Sequence, residues 1–433
     1  MFAEPAGHHN FLAVRDHRGV RRIRAGALRR RGQRLRRGWA ESQARRREPR
    51  RGRRARVVRL VRWAIALLVI VGLVAALVLR SWVAAQTRAV IVLSRTSNTP
   101  VVGWLVGVVT DEPRAEDMMI AGQPATLVRP GAGRSWRAVV FVNGVTRLGR
   151  HHPDVERLAR ALARAGYLVA VPDPPGLRQG TLTLRTLAAT AAVVRAVAER
   201  PDVRGGRVAL FGVSVGASLA LLAAEQPSLA GRIRAVAGLA PYTDLAQVVR
   251  LTTTAVYVKH GQFERYRTKS FAALVIARSL AAALTPGRDR TLLLARLLAV
   301  PDDAPDPLAP LRTLHESRLR PPARALVRLL VNRDPARFDS LYAALPQRIR
   351  LAATLLSPIS AAARLQARVL IASAPHDKYF PPDETRALAH RAPHVALTVT
   401  PTLQHAIPHL SVGDVAGLIR FDAFLVRVLR VAG

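Results

Sequence analysis

Residues 207–222 read Arg-Val-Ala-Leu-Phe-Gly-Val-Ser-Val-Gly-Ala-Ser-Leu-Ala-Leu-Leu. The apolar run from Val208 to Phe211 is typical of a buried strand, and the Ala- and Leu-rich residues 217–224 predict a buried helix. Gly212 and Gly216 flank Ser214, and a sharp strand-to-helix turn needs both glycines because bulkier neighbours would clash there. Such a turn presents the Ser214 hydroxyl at the helix N-terminus, where backbone N–H groups point at a developing oxyanion.

The segments on either side of this turn alternate between strand and helix patterns. Predicted strands cover residues 138–142, 167–171, 208–211, 233–239, 368–373 and 395–400, with weaker ones at 101–109 and 118–130. Helices are predicted at 153–165, 182–199, 383–392 and about 412–430. This order predicts an α/β fold with a mostly parallel sheet covered by helices on both faces. Residues 241–360 lack strand patterns and predict a helical cap inserted over the sheet.

A serine hydroxyl becomes a useful nucleophile only beside a base, and a histidine oriented by a carboxylate is the usual partner. Asp377 lies four residues after the strand that ends at Ser373, and His405 lies five after the strand that ends at Thr400. In a parallel sheet both residues share the carboxyl edge with Ser214. The alternatives are Asp244 as the acid and His409 as the base. We interpret the other nearby histidines as structural or surface residues: His151, His152, His376, His390 and His394.

Four features together resemble the alpha/beta-hydrolase superfamily over residues 97–240 and 361–433. They are Asn143-Gly144, the turn from Gly212 to Gly216, the stretch from His376 to Pro381, and the late His405. The resemblance implies the triad order Ser214, Asp377, His405. It also implies an oxyanion hole formed by the N–H groups of Val145 and Val215. Many relatives have His-Gly where this chain has Asn143-Gly144, and we expect Asn143 to orient that loop.

The N-terminal region is strongly basic and then strongly apolar. The chain carries a formal charge of +39, and residues 1–56 hold 19 Arg against Glu4, Asp16, Glu41 and Glu48, a net charge of +15. Trp63 to Leu79 carries no charge, and Trp82 lies about 28 Å beyond Trp63 along a helix. This pattern predicts a membrane-spanning helix with the Arg-rich side in the cytoplasm. A cleavable signal peptide is the alternative, and a nucleic-acid arm is disfavoured because stacking aromatics are few.

These observations define the expected organisation of the chain. We predict a disordered cytoplasmic tail (1–56), a transmembrane helix (57–80), a linker (81–96), a hydrolase core in two parts (97–240 and 361–433) and a helical cap (241–360). The catalytic domain is expected outside the cytoplasm.

The expected activity is carboxylic-ester hydrolysis by a membrane-anchored serine hydrolase acting on a small-molecule or lipid ester. No cofactor and no metal are expected, since cysteine, metal-ligand spacing and a phosphate-binding glycine loop are absent from the sequence. No specific nucleic acid is expected as a partner, and the sequence leaves the oligomeric state open. The alternatives are an acyltransferase or thioesterase with the same triad, or an inactive binding protein on this fold.

Overall fold

The computed structural model describes residues 59–76, 79–94, 110–392, 394–408 and 414–433. The predicted tail, the predicted strand at 101–109 and the alternative base His409 lie outside these residues. The chain forms two units, Met1–Leu79 and Arg80–Gly433. In the first unit the described residues form the start of helix α1 (Arg59–Ser94). Its most apolar window has a mean hydropathy of 2.6 and is fully exposed, so α1 is long and apolar enough to cross a membrane.

The second unit contains an eight-stranded sheet. Its strands, in chain order, are β1 (Arg114–Ile120), β2 (Gln123–Arg129), β3 (Trp136–Val142), β4 (Tyr167–Pro172), β5 (Val203–Val213), β6 (Ile233–Leu239), β9 (Arg368–Ser373) and β10 (Val395–Val399). The spatial order is β1-β2-β4-β3-β5-β6-β9-β10. The β1–β2 and β2–β4 pairs are antiparallel, and every pair from β4 to β10 is parallel. The fold class is therefore confirmed as a mostly parallel sheet.

Helices cover both faces of this sheet. After α1 they are α2 (Pro153–Arg164), α3 (Leu184–Ala198), α4 (Val215–Ala224), α5 (Leu245–Thr254), α6 (Ser270–Ala282), α7 (Arg288–Leu298), α8 (Ala309–Arg312), α9 (Pro321–Val331), α10 (Phe338–Ala343), α11 (Gln347–Leu355), α12 (Pro382–Arg391) and α13 (Val415–Ala432). Strand residues alternate between two apolar clusters, as the two-residue period of a strand requires. Val140 and Leu210 pack with α3 and α4, whereas Phe141 and Phe211 pack with α2 and α13.

The segment between β6 and β9 holds helices α5 to α11 and one element that the sequence pattern did not predict. This element is a hairpin of β7 (Val256–Lys259) and β8 (Gln262–Arg265), separate from the main sheet. A second small pair, β11 (Leu403–Gln404) with β12 (Ile407–Pro408), brackets His405. Strands of two to four residues carry too little hydrophobic periodicity to be recognised from sequence.

The last part of α1 differs from the linker predicted at residues 81–96. The chain is helical as far as Ser94, and Ala85, Ala89 and Val92 are buried in the cluster that includes α2 and α13. Gln86 also donates a hydrogen bond to Asp422 on α13, at 3.1 Å. Alanines and a valine spaced four and three residues apart form one helical face, and this face packs on the domain.

Candidate active site

Ser214 sits on a strained turn between β5 and α4. Its φ of 53° and ψ of −125° lie in a region that non-glycine residues rarely adopt. The Ser214 N–H donates to the Leu239 carbonyl at 2.8 Å, which ties the turn to the neighbouring strand β6. A Cβ on Gly212 would overlap the backbone of Ala217, and a Cβ on Gly216 would overlap the carbonyl oxygen of Val142. Only glycine fits at either position, as the sequence pattern predicts.

Asp377 and His405 meet in the structure. His405 Nδ1 lies 2.8 Å from Asp377 Oδ1 and 2.9 Å from Oδ2, with the carboxylate side chain almost fully buried. The N–H groups of Tyr379 and Phe380 donate to Asp377 Oδ1 at 2.8 and 3.0 Å. The two backbone N–H groups fix the orientation of the carboxylate, and the carboxylate hydrogen-bonds His405 Nδ1. The other ring nitrogen, Nε2, is therefore the one that can transfer a proton.

Aromatic side chains enclose this pair. The Tyr379 ring lies 4.6 Å from the His405 ring and the Phe380 ring 5.9 Å from it, measured between centroids. The Tyr266 hydroxyl donates to the Asp377 carbonyl oxygen at 2.5 Å. Tyr266 follows the β7–β8 hairpin and was missed by sequence reasoning, since no motif surrounds it. Its hydrogen bond links the inserted segment to the loop that carries the acid.

Ser214 and His405 line one cavity, together with Gly144, Val145 and Val215. Within the described part of the chain the Ser214 hydroxyl makes no hydrogen bond, either to His405 or to another group. Hydrogen bonds between a nucleophile and its base are often long in a ligand-free site and shorten in the substrate complex. The arrangement therefore suits attack by Ser214 on a carbonyl group bound in this cavity.

The predicted oxyanion loop lies against the turn. Asn143 Oδ1 accepts from the Gly144 N–H at 2.8 Å, and Asn143 Nδ2 donates to the Gly149 carbonyl at 3.2 Å, so the amide side chain braces the loop. A Cβ on Gly144 would lie 3.4 Å from Ser214 Cβ, which measures how closely the loop approaches. The N–H groups of Val145 and Val215 make no hydrogen bond among the described residues. They are available to a ligand oxygen.

Asp244 and the histidines that were not assigned as the base have other structural positions. The Asp244 side chain accepts from the N–H groups of Ala246 and Gln247 and caps α5. His152 caps α2 by accepting from the Asp154 N–H at 3.3 Å, and it also reaches the rim of the cavity. The other histidines considered above lie at the surface: His151, His376, His390 and His394.

A buried glutamate, Glu384, connects the segment after Asp377 to the loop that follows β6. Glu384 in α12 accepts hydrogen bonds from the N–H groups of Thr243 and Asp244 at 3.1 and 2.9 Å. It also bonds the Thr243 hydroxyl at 2.9 Å. Burial raises the pKa of Glu384 to about 7. These bonds join the start of α12 to the chain that leaves β6, so they fix the spacing between two loops at the carboxyl edge.

The cavity measures about 730 Å³, which falls within the range of about 300–1,000 Å³ typical of small-molecule sites. Most of its wall is apolar. No group of three or more His, Asp or Glu side chains suited to a metal occurs in the residues that the structure covers.

Stability is expected to fall with rising pH because of Glu225, which follows α4. Glu225 is buried, and its Oε1 has no hydrogen-bond partner among the described residues. Desolvation raises its pKa to about 8 against an opposing effect of Arg364. The unfolded chain releases this proton near pH 4.5, so between pH 4.5 and about 8 the folded state binds more protons. A tenfold difference in proton affinity between the two states changes the free energy of unfolding by about 1.4 kcal/mol. The midpoint temperature of thermal unfolding of the detergent-solubilised chain should therefore be lower at pH 9 than at pH 5.

The matched variant is Glu225→Gln, which keeps the shape and has no charge to bury. Its midpoint should exceed that of the wild type at pH 9 and change less with pH. Parallel pH profiles for the two proteins would show that Glu225 does not control this dependence.

Comparisons with known proteins give one family match. A model described as the alpha/beta hydrolase fold matches residues 137–410, more than half of the chain. No curated protein matches significantly.

The solved structures that the chain matches include two peptidases and an esterase. The acylaminoacyl peptidase of Pyrococcus horikoshii is 13% identical over 69% of this chain and 38% of its own, with a TM-score of 0.40. Dipeptidyl peptidase 4 of Porphyromonas gingivalis is 14% identical over 73% and 36%, with a TM-score of 0.41. An esterase from the bacterial hormone-sensitive lipase family is 18% identical over 80% and 98%, with a TM-score of 0.38. The chain thus spans well under half of the two peptidases.

Proposed function

The chain belongs to the alpha/beta hydrolase fold family, and on that premise we propose that it is a membrane-anchored serine hydrolase that cleaves carboxylic esters. The observation that carries the proposal is the buried Asp377–His405 pair, 2.8 Å between Oδ1 and Nδ1. His405 lines the same cavity as Ser214, which sits on its strained turn. A hydroxyl, an imidazole and a carboxylate are the three groups that this kind of acyl transfer requires.

In the proposed reaction, Ser214 Oγ attacks the ester carbonyl carbon while His405 Nε2 takes the hydroxyl proton. Asp377 stabilises the imidazolium that forms, and the N–H groups of Val145 and Val215 bind the negative oxygen of the tetrahedral intermediate. The carbon–oxygen bond to the alcohol then breaks, and His405 returns its proton to that alcohol. Water attacks the resulting acyl-enzyme by the same route in reverse, which releases the acid and restores Ser214.

The choice of an ester over an amide rests on the cavity and on the resemblance. Most of the cavity wall is apolar, which suits an apolar ester. Transfer of the acyl group to an alcohol or amine would use the same residues, because only the second attacking group differs.

Membrane attachment is a second part of the proposal. Its support is α1, whose apolar window is followed by Arg80 and preceded by Arg59 and Arg62. A signal sequence near an N-terminus has the same length and composition as a membrane anchor. Finding residues 1–80 in the mature membrane-bound protein would identify α1 as an anchor, and their removal would identify it as a signal sequence. With α1 as an anchor, the excess of arginine before it favours a cytoplasmic N-terminus and an extracytoplasmic hydrolase domain.

The test of the enzymatic part is labelling of the full-length, detergent-solubilised chain with a fluorophosphonate. We expect one covalent adduct that maps to Ser214 and that a pre-incubated ester substrate slows. Absence of an adduct, under conditions that label a control serine hydrolase, would refute the assignment and favour an inactive binding protein on this fold.

A further inference from the structure

The cavity at Ser214 extends to both faces of the sheet. One part, the cap arm, is lined by Leu245 and Val248 of α5 and by Phe271, Val275 and Ile276 of α6. The other part, the rear arm, is lined by Leu158 and Leu162 of α2, by Phe421, Phe424, Leu425 and Val428 of α13, and by Val92 and Leu93 of α1.

The residues that line the two arms lie on opposite faces of the sheet. Leu162, Phe421 and Val92 belong to the apolar cluster on one face of the sheet, and Leu245 and Val248 belong to the cluster on the other. A ligand that fills both arms must therefore cross the carboxyl edge of the sheet. Ser214, directly after β5 on this edge, lines the cavity together with residues of both arms.

The two arms differ in chemistry. The rear arm is walled by aliphatic and phenylalanine side chains, and its charged neighbours, Asp154 and Arg157, lie in the first turns of α2 at the rim. The lining of the cap arm also includes Tyr242 and Ser279, whose hydroxyls donate to the carbonyls of Leu356 and Val275. A predominantly apolar arm suits an alkyl chain, because burying methylene groups is favourable.

Helix α1 contributes Val92 and Leu93 to the wall of the rear arm. Ala85, Ala89 and Val92 face the domain, whereas Trp82, Val83 and Val90 on the same helix stretch are about half exposed. Leu93 is half-buried and reaches the cavity. The helix stretch that follows the proposed membrane span therefore supplies part of the binding wall.

We propose that the rear arm binds the acyl chain of a long-chain lipid ester, with the ester carbonyl at Ser214 and the alcohol portion in the cap arm. This inference rests on the proposed function and names its substrate class. It assigns a substrate-binding role to Val92 and Leu93, which lie outside the segment that the family model matches.

The test compares p-nitrophenyl butyrate with p-nitrophenyl laurate on the full-length chain in detergent. Leu93→Trp adds bulk to the wall of the rear arm. It should lower kcat/KM for laurate by about tenfold or more, the scale of a lost hydrophobic contact or a clash in such pockets, and leave butyrate within about twofold. Leu425→Trp, on α13, fills the same arm from another element and should act alike. Val90→Trp is the matched control, because Val90 is 45% exposed and is not part of the wall.

Fluorophosphonate labelling of each variant checks that its active site is intact. The inference is overturned if both rear-arm variants label normally and keep the wild-type ratio of laurate to butyrate. It is also overturned if Val275→Trp, in the cap arm, alone removes the preference for laurate. In either case ester hydrolysis by Ser214 stands. A wild-type protein that takes no label and hydrolyses neither ester would refute the proposed function and this inference together.

Discussion

Ser214→Ala is expected to lower kcat for p-nitrophenyl ester hydrolysis by a factor of about 10⁴ or more, because loss of the nucleophile removes the acyl-enzyme route. KM should change little, since the apolar wall of the cavity stays in place. The fold should also persist, because the hydroxyl makes no hydrogen bond within the described residues. Initial rates of the full-length wild type and variant, measured in the same detergent, give the comparison.

The control for this substitution is Ser218→Ala, one helical turn further along α4. Ser218 is fully buried, and its hydroxyl donates to the Tyr242 carbonyl at 2.8 Å, so its loss costs about 1 kcal/mol of stability. Activity and fluorophosphonate labelling should remain near the wild-type level. Equal rates for the wild type and Ser214→Ala would exclude Ser214 as the nucleophile.

Asp377→Asn is expected to lower kcat by about 10³ to 10⁴, the scale seen when a triad aspartate becomes an amide. The reason is the tautomer of His405. An asparagine can still accept from the N–H groups of Tyr379 and Phe380 through its oxygen. Its NH₂ group would then face His405 Nδ1, which would have to accept the hydrogen bond, and Nε2 would carry the proton and could no longer act as a base. The pH–rate profile should lose its base-dependent rise.

Asp244→Asn provides the matched comparison, because Asp244 is the other candidate acid near this edge. Its side chain caps α5, and asparagine caps a helix about as well as aspartate. Its rate should stay within about twofold of the wild type. A large loss at Asp244 together with a small loss at Asp377 would reverse the assignment of the acid.

The positions of the three candidate site residues relative to the sheet could be predicted from sequence, because each follows a strand within a few residues. Ser214 comes one residue after β5, Asp377 four after β9, and His405 six after β10. Once the strands are recognised as parallel, short loops after them place these residues at the carboxyl edge of the sheet. The requirement for glycine at positions 212 and 216 could also be predicted, since a Cβ at either position would overlap backbone atoms in the tight turn.

Other parts of the site depend on contacts that span long distances along the chain. The bond from the Tyr266 hydroxyl to the Asp377 carbonyl joins residues 111 positions apart, and no local pattern marks either end as a partner. The placement of residues 81–94 was also missed. Their sequence looks like a connector, and the buried face of alanines becomes evident only when α2 and α13 supply the surface that covers it.

The sequence by itself determined the order of strands and helices, the strand-to-helix turn at Ser214 and the apolar length of α1. All of these follow from local periodicity, from the backbone freedom of glycine and from the absence of charge over a membrane-length segment. Only the tertiary structure decided that Asp377 and His405 touch, that the cavity passes over the sheet edge, and that Val92 and Leu93 form part of its wall. These facts depend on which surfaces pack together, and packing is a property of the whole chain.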